Sequence, residues 1–240
     1  MRVNFCNKHQ KIYYYVCPEC LKPYLKNTIF SDLNEVRDYQ ILNSQKIIFK
    51  HIRDKLTKIG LIKTKLIDYT SYSLLLIINL KNQEIEYEFY TKFRPKFPYY
   101  FPSVLFLRNT EIYLDLLKKN PFNQIECLIV NSSGLIHPYH YGCACDFGLK
   151  TQLPVIGYTK SLLYGKVQSN NSEKYLKRIY SNNRPIGYAI PKSISKSYYY
   201  ISVGNNIDLK RSKDVFQKID YSIFGEIKNR LNRYVKNLSY

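Results

Sequence analysis

Three prolines within eight residues, in Phe93-Arg94-Pro95-Lys96-Phe97-Pro98-Tyr99-Tyr100-Phe101-Pro102-Ser103, restrict this chain more than any other feature. Proline fixes φ and removes a ladder donor, so this stretch cannot lie inside a central strand. It must cross rigidly, packed by its aromatics, from one element to another. Upstream the sequence has a two-residue period. Residues 61–70, 71–80 and 84–93 read as three successive strands, with Lys81-Asn82-Gln83 as the turn between the last two. In the third, Ile85, Tyr87 and Phe89 alternate with Glu84, Glu86 and Glu88, giving one wet and one buried face. Antiparallel hairpins are the simplest connections at this spacing. After the prolines, Val104-Leu105-Phe106-Leu107 reads as a fourth, buried strand.

Helical signals flank this sheet. Ser31-Asp32-Leu33-Asn34-Glu35 reads as an N-cap with acids in the first turn. Ile48, Ile52, Leu56 and Ile59 form one apolar stripe, and Gly60 is a natural stop.

The N-terminus carries Cys6-x2-His9-x7-Cys17-x2-Cys20. A two-residue gap lets both ligands of each pair face one tetrahedral ion, and a three-thiolate, one-imidazole set suits zinc. All four positions would be filled by protein, so the expected Zn2+ is structural. The spacing resembles the first half of a B-box zinc finger, without that motif's later ligands.

The densest chemistry is His137-Pro138-Tyr139-His140-Tyr141-Gly142-Cys143-Ala144-Cys145-Asp146. Read from the residues, it is a loop nucleophile, a second metal site of His137, His140, Cys143 and Cys145, or histidines packed on tyrosines beside small core cysteines. The helix, three-strand meander, Tyr99-Tyr100-Phe101-Pro102-Ser103-Val104-Leu105-Phe106 crossing and later His137-Pro138 and Gly142-Cys143-Ala144-Cys145 together resemble the ubiquitin-conjugating (UBC-like) family. That resemblance implies an α+β fold, an antiparallel four-stranded meander flanked by helices. To it are added the small zinc knuckle and a helical C-terminal extension. The chain then divides into a zinc knuckle at 1–30, a UBC-like core at 31–165 and a basic C-terminal extension at 166–240. The resemblance also implies an E2-like transferase forming a thioester at Cys145, with His137 nearby and with a ubiquitin-like modifier and an E1-like donor as partners. Tyr139 stands where the family has Asn. The interval from Leu107 to His137 is longer than the family's, and Cys127 lies nearer the expected position, so Cys145 and Cys127 both remain candidate nucleophiles.

Two other readings stay open: a zinc-containing nucleic-acid-binding protein working through a basic surface, and a catalytically inactive UBC-like or RWD-like binding module. The chain has 240 residues, 45% hydrophobic and 15% aromatic, enough for a packed domain. Its formal charge of +19 points to a polyanion such as nucleic acid, or equally to a vocabulary rich in Lys, Asn, Ile and Tyr. Residues 172–180 read as a brief basic helix, and 186–190 with 197–203 as a strand pair. A final helix is expected over 212–238, and Lys210, Arg211, Lys213, Lys228, Arg230, Arg233 and Lys236 make the C-terminal tail a candidate polyanion contact. No apolar leader or spanning segment is visible, so a cytoplasmic protein is expected.

Overall fold

The structure, a computed structural model, describes residues 3–53, 55–119, 125–169, 176–192 and 197–238. A hairpin of β1 (Val3–Cys6) and β2 (Lys11–Tyr14) leads into a short helix α1 (Pro18–Leu21) and a 3-10 turn over Lys22–Asn27. Helix α2 (Leu33–Ser44) follows, capped by Asp32, whose carboxylate accepts from the backbone N–H groups of Asn34 and Glu35. Then come β3 (Lys58–Ile67), β4 (Thr70–Asn79), β5 (Ile85–Phe93), α3 (Phe106–Lys118), β6 (Cys127–Val130), α4 (Cys143–Thr151) and β7 (Val155–Thr159). The chain closes with β8 (Lys166–Ser169), β9 (Lys177–Ser181), β10 (Arg184–Pro191), β11 (Tyr198–Asn205), α5 (Leu209–Gln217) and α6 (Ser222–Asn237).

Among the described residues, nine strands form one mixed sheet in the order β5-β4-β3-β6-β7-β11-β10-β9-β8. Its centre is parallel: β3 pairs with β6, and β6 with β7. Both flanks are antiparallel. The four-stranded antiparallel meander is thereby corrected. Three of its strands lie close to where alternation put them, but they are one flank of a larger sheet. Strands from either side of residue 165 share that sheet.

Central strands are apolar on both faces because helices cover both. Ile59 and Leu61 on β3, Leu74, Leu76 and Ile78 on β4, and Cys127 and Ile129 on β6 face one core with Val215, Phe216, Ile223 and Ile227 of α5 and α6. Ile62, Leu75, Ile77, Leu128 and Val130 face the other, with Val36 of α2, Tyr113 and Leu116 of α3 and Phe147 of α4.

The remaining differences from expectation are local. Residues 104–107 enter α3 rather than a strand, because Phe106, Ile112, Tyr113 and Leu116 continue a helical face into the second core. The Ile48–Ile59 stripe is not a helix, and Gly60 lies inside β3, where a Cβ would come within 2.6 Å of Leu128 Cδ2. The final helix is broken at residues 218–221 into α5 and α6. The basic helix expected over 172–180 is β9 from Lys177 onward; its first residues lie outside those described. No helix of the described residues is long and apolar enough to cross a membrane.

Candidate nucleic-acid cleft

In a sheet with a parallel centre, the crevice outside the carboxyl ends of the strands is the natural ligand position. Here β3, β6 and β7 end side by side. The register pairs Ile62 with Val130 and Val130 with Gly157, which brings Lys63, Asn131 and Thr159 to one rim. A cavity of about 470 Å³ opens there, within the ordinary ~300–1,000 Å³ range of ligand sites. Asn131, Ser132 and Ser133 form its floor. Tyr100, Phe101, Pro102 and Ser103 of the proline crossing make one side, and Thr159 and Ser161 another. Asn4, Tyr13 and Tyr15 of the N-terminal hairpin complete the wall.

The floor is held from behind. The Lys63 ammonium donates to Asn131 Oδ1 at 3.1 Å, and Asn131 Nδ2 donates to the Tyr158 carbonyl at 3.3 Å. On α3, Arg108 Nε donates to Asn109 Oδ1 at 2.8 Å, while Asn109 Nδ2 donates to Ser132 Oγ and to Tyr113 OH. Tyr113 OH and Ser132 Oγ bond at 2.9 Å. Backbone packing leaves no slack: a Cβ on Gly157 would come within 2.4 Å of the Ser132 carbonyl.

His137 locks the proline crossing onto this floor. Its Nε2–H donates to the Ser103 carbonyl at 2.8 Å, and its Nδ1 accepts from the Tyr139 N–H at 3.3 Å. Buried at 1% exposure, the ring is held neutral, its pKa pushed down by burial to about 4. Ser103, at φ 66°, needs that hold. Beside it Tyr100 is 68% exposed at the rim, with the Arg108 guanidinium 5.8 Å from its ring centre.

The charge around the cleft is positive. Burial, then the neighbouring Lys160 and Lys228, push the Lys63 ammonium below its ordinary range. Lys160 and Lys228 are exposed, and neither has a carboxylate within salt-bridge distance among the described residues. The rest of the C-terminal basic set divides. Arg211 is buried, Lys213 pairs with Asp214 and Arg230 pairs with Glu88 and Glu226, whereas Lys210, Arg233 and Lys236 are exposed.

The two proposed nucleophiles lie elsewhere. Cys145 is fully buried in α4, its thiol pushed up by burial, and Cys127 faces the first core from β6 with its thiol pushed up to about 12. His140 turns away to bond Ser181 Oγ at 3.1 Å, so His137, His140, Cys143 and Cys145 do not converge on a common centre. Asp146 is also enclosed, accepting from Tyr39 OH at 2.7 Å and Tyr141 OH at 2.9 Å and pairing with Lys150. Sequence reasoning missed Lys63, Asn109 and Asn131. Of these, only Asn131 stands at a position a sequence marks, directly after an apolar run, Leu128-Ile129-Val130.

The sequence profile of the Endonuclease V family matches residues 58–222, more than half of the chain. The chain belongs to the Endonuclease V family. A putative endonuclease of Schizosaccharomyces pombe is 29% identical over 170 residues, covering 62% of this chain and 68% of that protein. Endonuclease V of Thermus thermophilus is 30% identical over 119 residues, 48% of this chain and 52% of its own length. In fold, the chain is similar to Ciona intestinalis Endonuclease V, at a TM-score of 0.75 and 18% identity over 86% of this chain and 98% of that one. Human Endonuclease V gives 0.72 and 18% identity over 87% of this chain and 100% of that one.

Membership of the Endonuclease V family overturns the ubiquitin-conjugating resemblance and, with it, the E2-like transferase, its modifier and its E1-like donor. The Pro-Tyr crossing and the His-Pro turn are real features, but here they frame the cleft of an Endonuclease V fold.

An endonuclease that cuts a phosphodiester with divalent metal needs oxygen ligands, above all carboxylates, around the reacting phosphate. This cleft does not fit that need. Among the described residues, none in its lining is an Asp or Glu, and the amide oxygens of Asn131 and Asn109 already accept from Lys63 and Arg108. Among the described residues, the one gathering of three or more His, Cys, Asp or Glu ligand atoms is Cys6, His9, Cys17 and Cys20. A lysine ammonium stands behind the floor, where it would repel a cation.

Proposed function

We propose that this Endonuclease V family member binds nucleic acid in the cleft and does not cleave it through a divalent metal. The observation that carries the reading is the cleft's chemistry: hydroxyls, amides and exposed aromatics over Lys63, flanked by Lys160 and Lys228, with no carboxylate in the lining among the described residues. Cations of this kind neutralise phosphate, and Tyr100, Tyr13 and Tyr15 offer faces on which an unstacked base can rest. Asn and Ser side chains both donate and accept, which suits the edge of a base. The Ciona intestinalis relative was crystallised with DNA containing an inosine followed by a ribo-adenosine, so a strand carrying a deaminated purine is the first ligand to try.

The test is fluorescence anisotropy with single- and double-stranded oligonucleotides, with and without one inosine, across a salt series, followed by denaturing gels after incubation with Mg2+ or Mn2+. Binding that weakens steeply with salt, tighter on the inosine strand and without strand scission, is expected. A metal-dependent nick would overturn the non-cleaving half in favour of the activity that the relatives' names carry. Absence of binding would overturn the whole reading.

A further inference from the structure

We infer that Cys6, His9, Cys17 and Cys20 hold one zinc ion, and that this ion fixes the hairpin wall of the cleft. The four residues come from three places in the chain. Cys6 ends β1, His9 lies in the turn to β2, Cys17 precedes α1, and Cys20 lies within it. Their ligand atoms nevertheless all lie within 4.8 Å of one another. Cys6 Sγ is 3.7 Å from Cys20 Sγ and 3.5 Å from His9 Nδ1, while Cys17 Sγ and Cys20 Sγ are 3.7 and 3.4 Å from the same nitrogen.

Ligands bonded to a tetrahedral zinc at its usual Zn–S and Zn–N lengths stand roughly 3.5–3.8 Å apart. Those four contacts therefore have about the spacing of the edges of a zinc tetrahedron. As hydrogen bonds they would be weak, because thiols donate and accept poorly. All six cysteines are free, so no disulfide explains the approach. Three soft thiolates with one imidazole select zinc over calcium or magnesium, and the thiols release their protons to solvent on binding. Four protein ligands leave no open position, so the ion would be structural.

The consequence for the cleft follows from what the knuckle carries. Between the two ligand pairs run Tyr13 and Tyr15, both in the cleft wall, and Tyr15 is held at φ 64°, a left-handed conformation uncommon for a bulky residue. Directly after the ligands, Leu21 and Leu25 are buried in the second core and Tyr24 meets Tyr99 of the proline crossing at 4.1 Å between ring centres. One end of the knuckle is thus anchored by packing. The other, β1 and β2, exposes Val3, Phe5 and Ile12 and forms a separate two-stranded sheet. A two-stranded hairpin is marginal by itself in water. The ion is what ties it to the anchored end. This part rests on the cleft reading only for what the wall faces.

The full-length protein, purified without chelator, is assayed for metal by mass spectrometry, and its apo form is titrated with Co2+. One zinc per chain is expected, with a tetrahedral cobalt spectrum carrying thiolate charge transfer; Cys17→Ser with Cys20→Ser should lose at least nine-tenths of the zinc. Hydrogen exchange on the wild-type protein, before and after chelation, reads the wall without relying on variants that fail to fold. Faster exchange across residues 3–21, reversed by adding zinc but not magnesium, is expected. A metal-free protein with an octahedral cobalt spectrum would overturn the site, and unchanged exchange after chelation would overturn its role in the wall. Zinc bound and the wall protected, but no nucleic acid bound, would count against the proposed function and leave this inference standing.

Discussion

His137 keeps the proline crossing closed by using both ring nitrogens, one as donor to Ser103 and one as acceptor from Tyr139. A proton on Nδ1 would remove the second bond and place an unpaired charge in a buried site. The folded-state pKa is about 4, below the ordinary histidine value. Between those two pH values the unfolded chain binds more protons than the folded one, so stability rises with pH. His137 therefore contributes stability that is complete above about pH 6.5 and lost as the pH falls towards 4, on the order of 3 kcal/mol for a fully buried ring. Urea midpoints measured from pH 7 to 4 should fall along that course. His137→Gln should start lower and show a flatter profile, and an unchanged slope would count against the neutral, bonded ring.

Two glycines separate what a helix tolerates from what the cleft floor tolerates. Gly225 lies inside α6 with open space where a Cβ would go. Gly225→Ala should therefore stabilise the protein by roughly 0.5–1 kcal/mol through helix propensity. Gly157 on β7 has the Ser132 carbonyl 2.4 Å from that point. Gly157→Ala should cost about 1–3 kcal/mol as the floor is forced apart. Thermal melts of the two variants should move in opposite directions.

The same contrast between local and distant causes explains what the sequence discloses at this scale. The helix start at residues 31–35 and the β3–β4–β5 meander are written in short-range pattern. The four-residue β6 is buried on both sides, so Cys127-Leu128-Ile129-Val130 shows no alternation and reads as an undefined apolar run. Residues 104–107 carry the same ambiguity between strand and helix, which only α3's packing resolves.

At the scale of the whole molecule, net charge is a poor guide until the cations are located. Several of the C-terminal cations are buried or paired, whereas Lys160 and Lys228 stand open beside Lys63. Lys160→Ala should lower the slope of log affinity against log salt by about 1 for nucleic acid, as the loss of one phosphate contact does. Lys213→Ala, already paired with Asp214 at 3.3 Å, should leave it unchanged. Equal slopes for the two variants would remove the cleft from the binding surface. The gathering of Cys6, His9, Cys17 and Cys20 was legible from spacing alone. The cleft was not, because pairing between distant strands brings Lys63 to Asn131 and the packing of α3 brings Asn109 to Ser132, while all three look unremarkable in their own neighbourhoods. The His-Pro turn and the Gly-x-x-Cys loop drew attention to the right region and the wrong chemistry, since a buried helix start and a reactive loop share those residue types.

The parallel pairing of β3 with β6 also sets an order of events for a chain leaving the ribosome. Residues 58–93 can pair locally as soon as they emerge, but β3 presents one bare edge until Cys127–Val130 has been made. An apolar strand with an open edge is a template for pairing with other chains. Non-local closure of this kind is slow relative to hairpins. Refolding yield should therefore fall with protein concentration, and chains stalled before residue 127 should be the ones that need a chaperone.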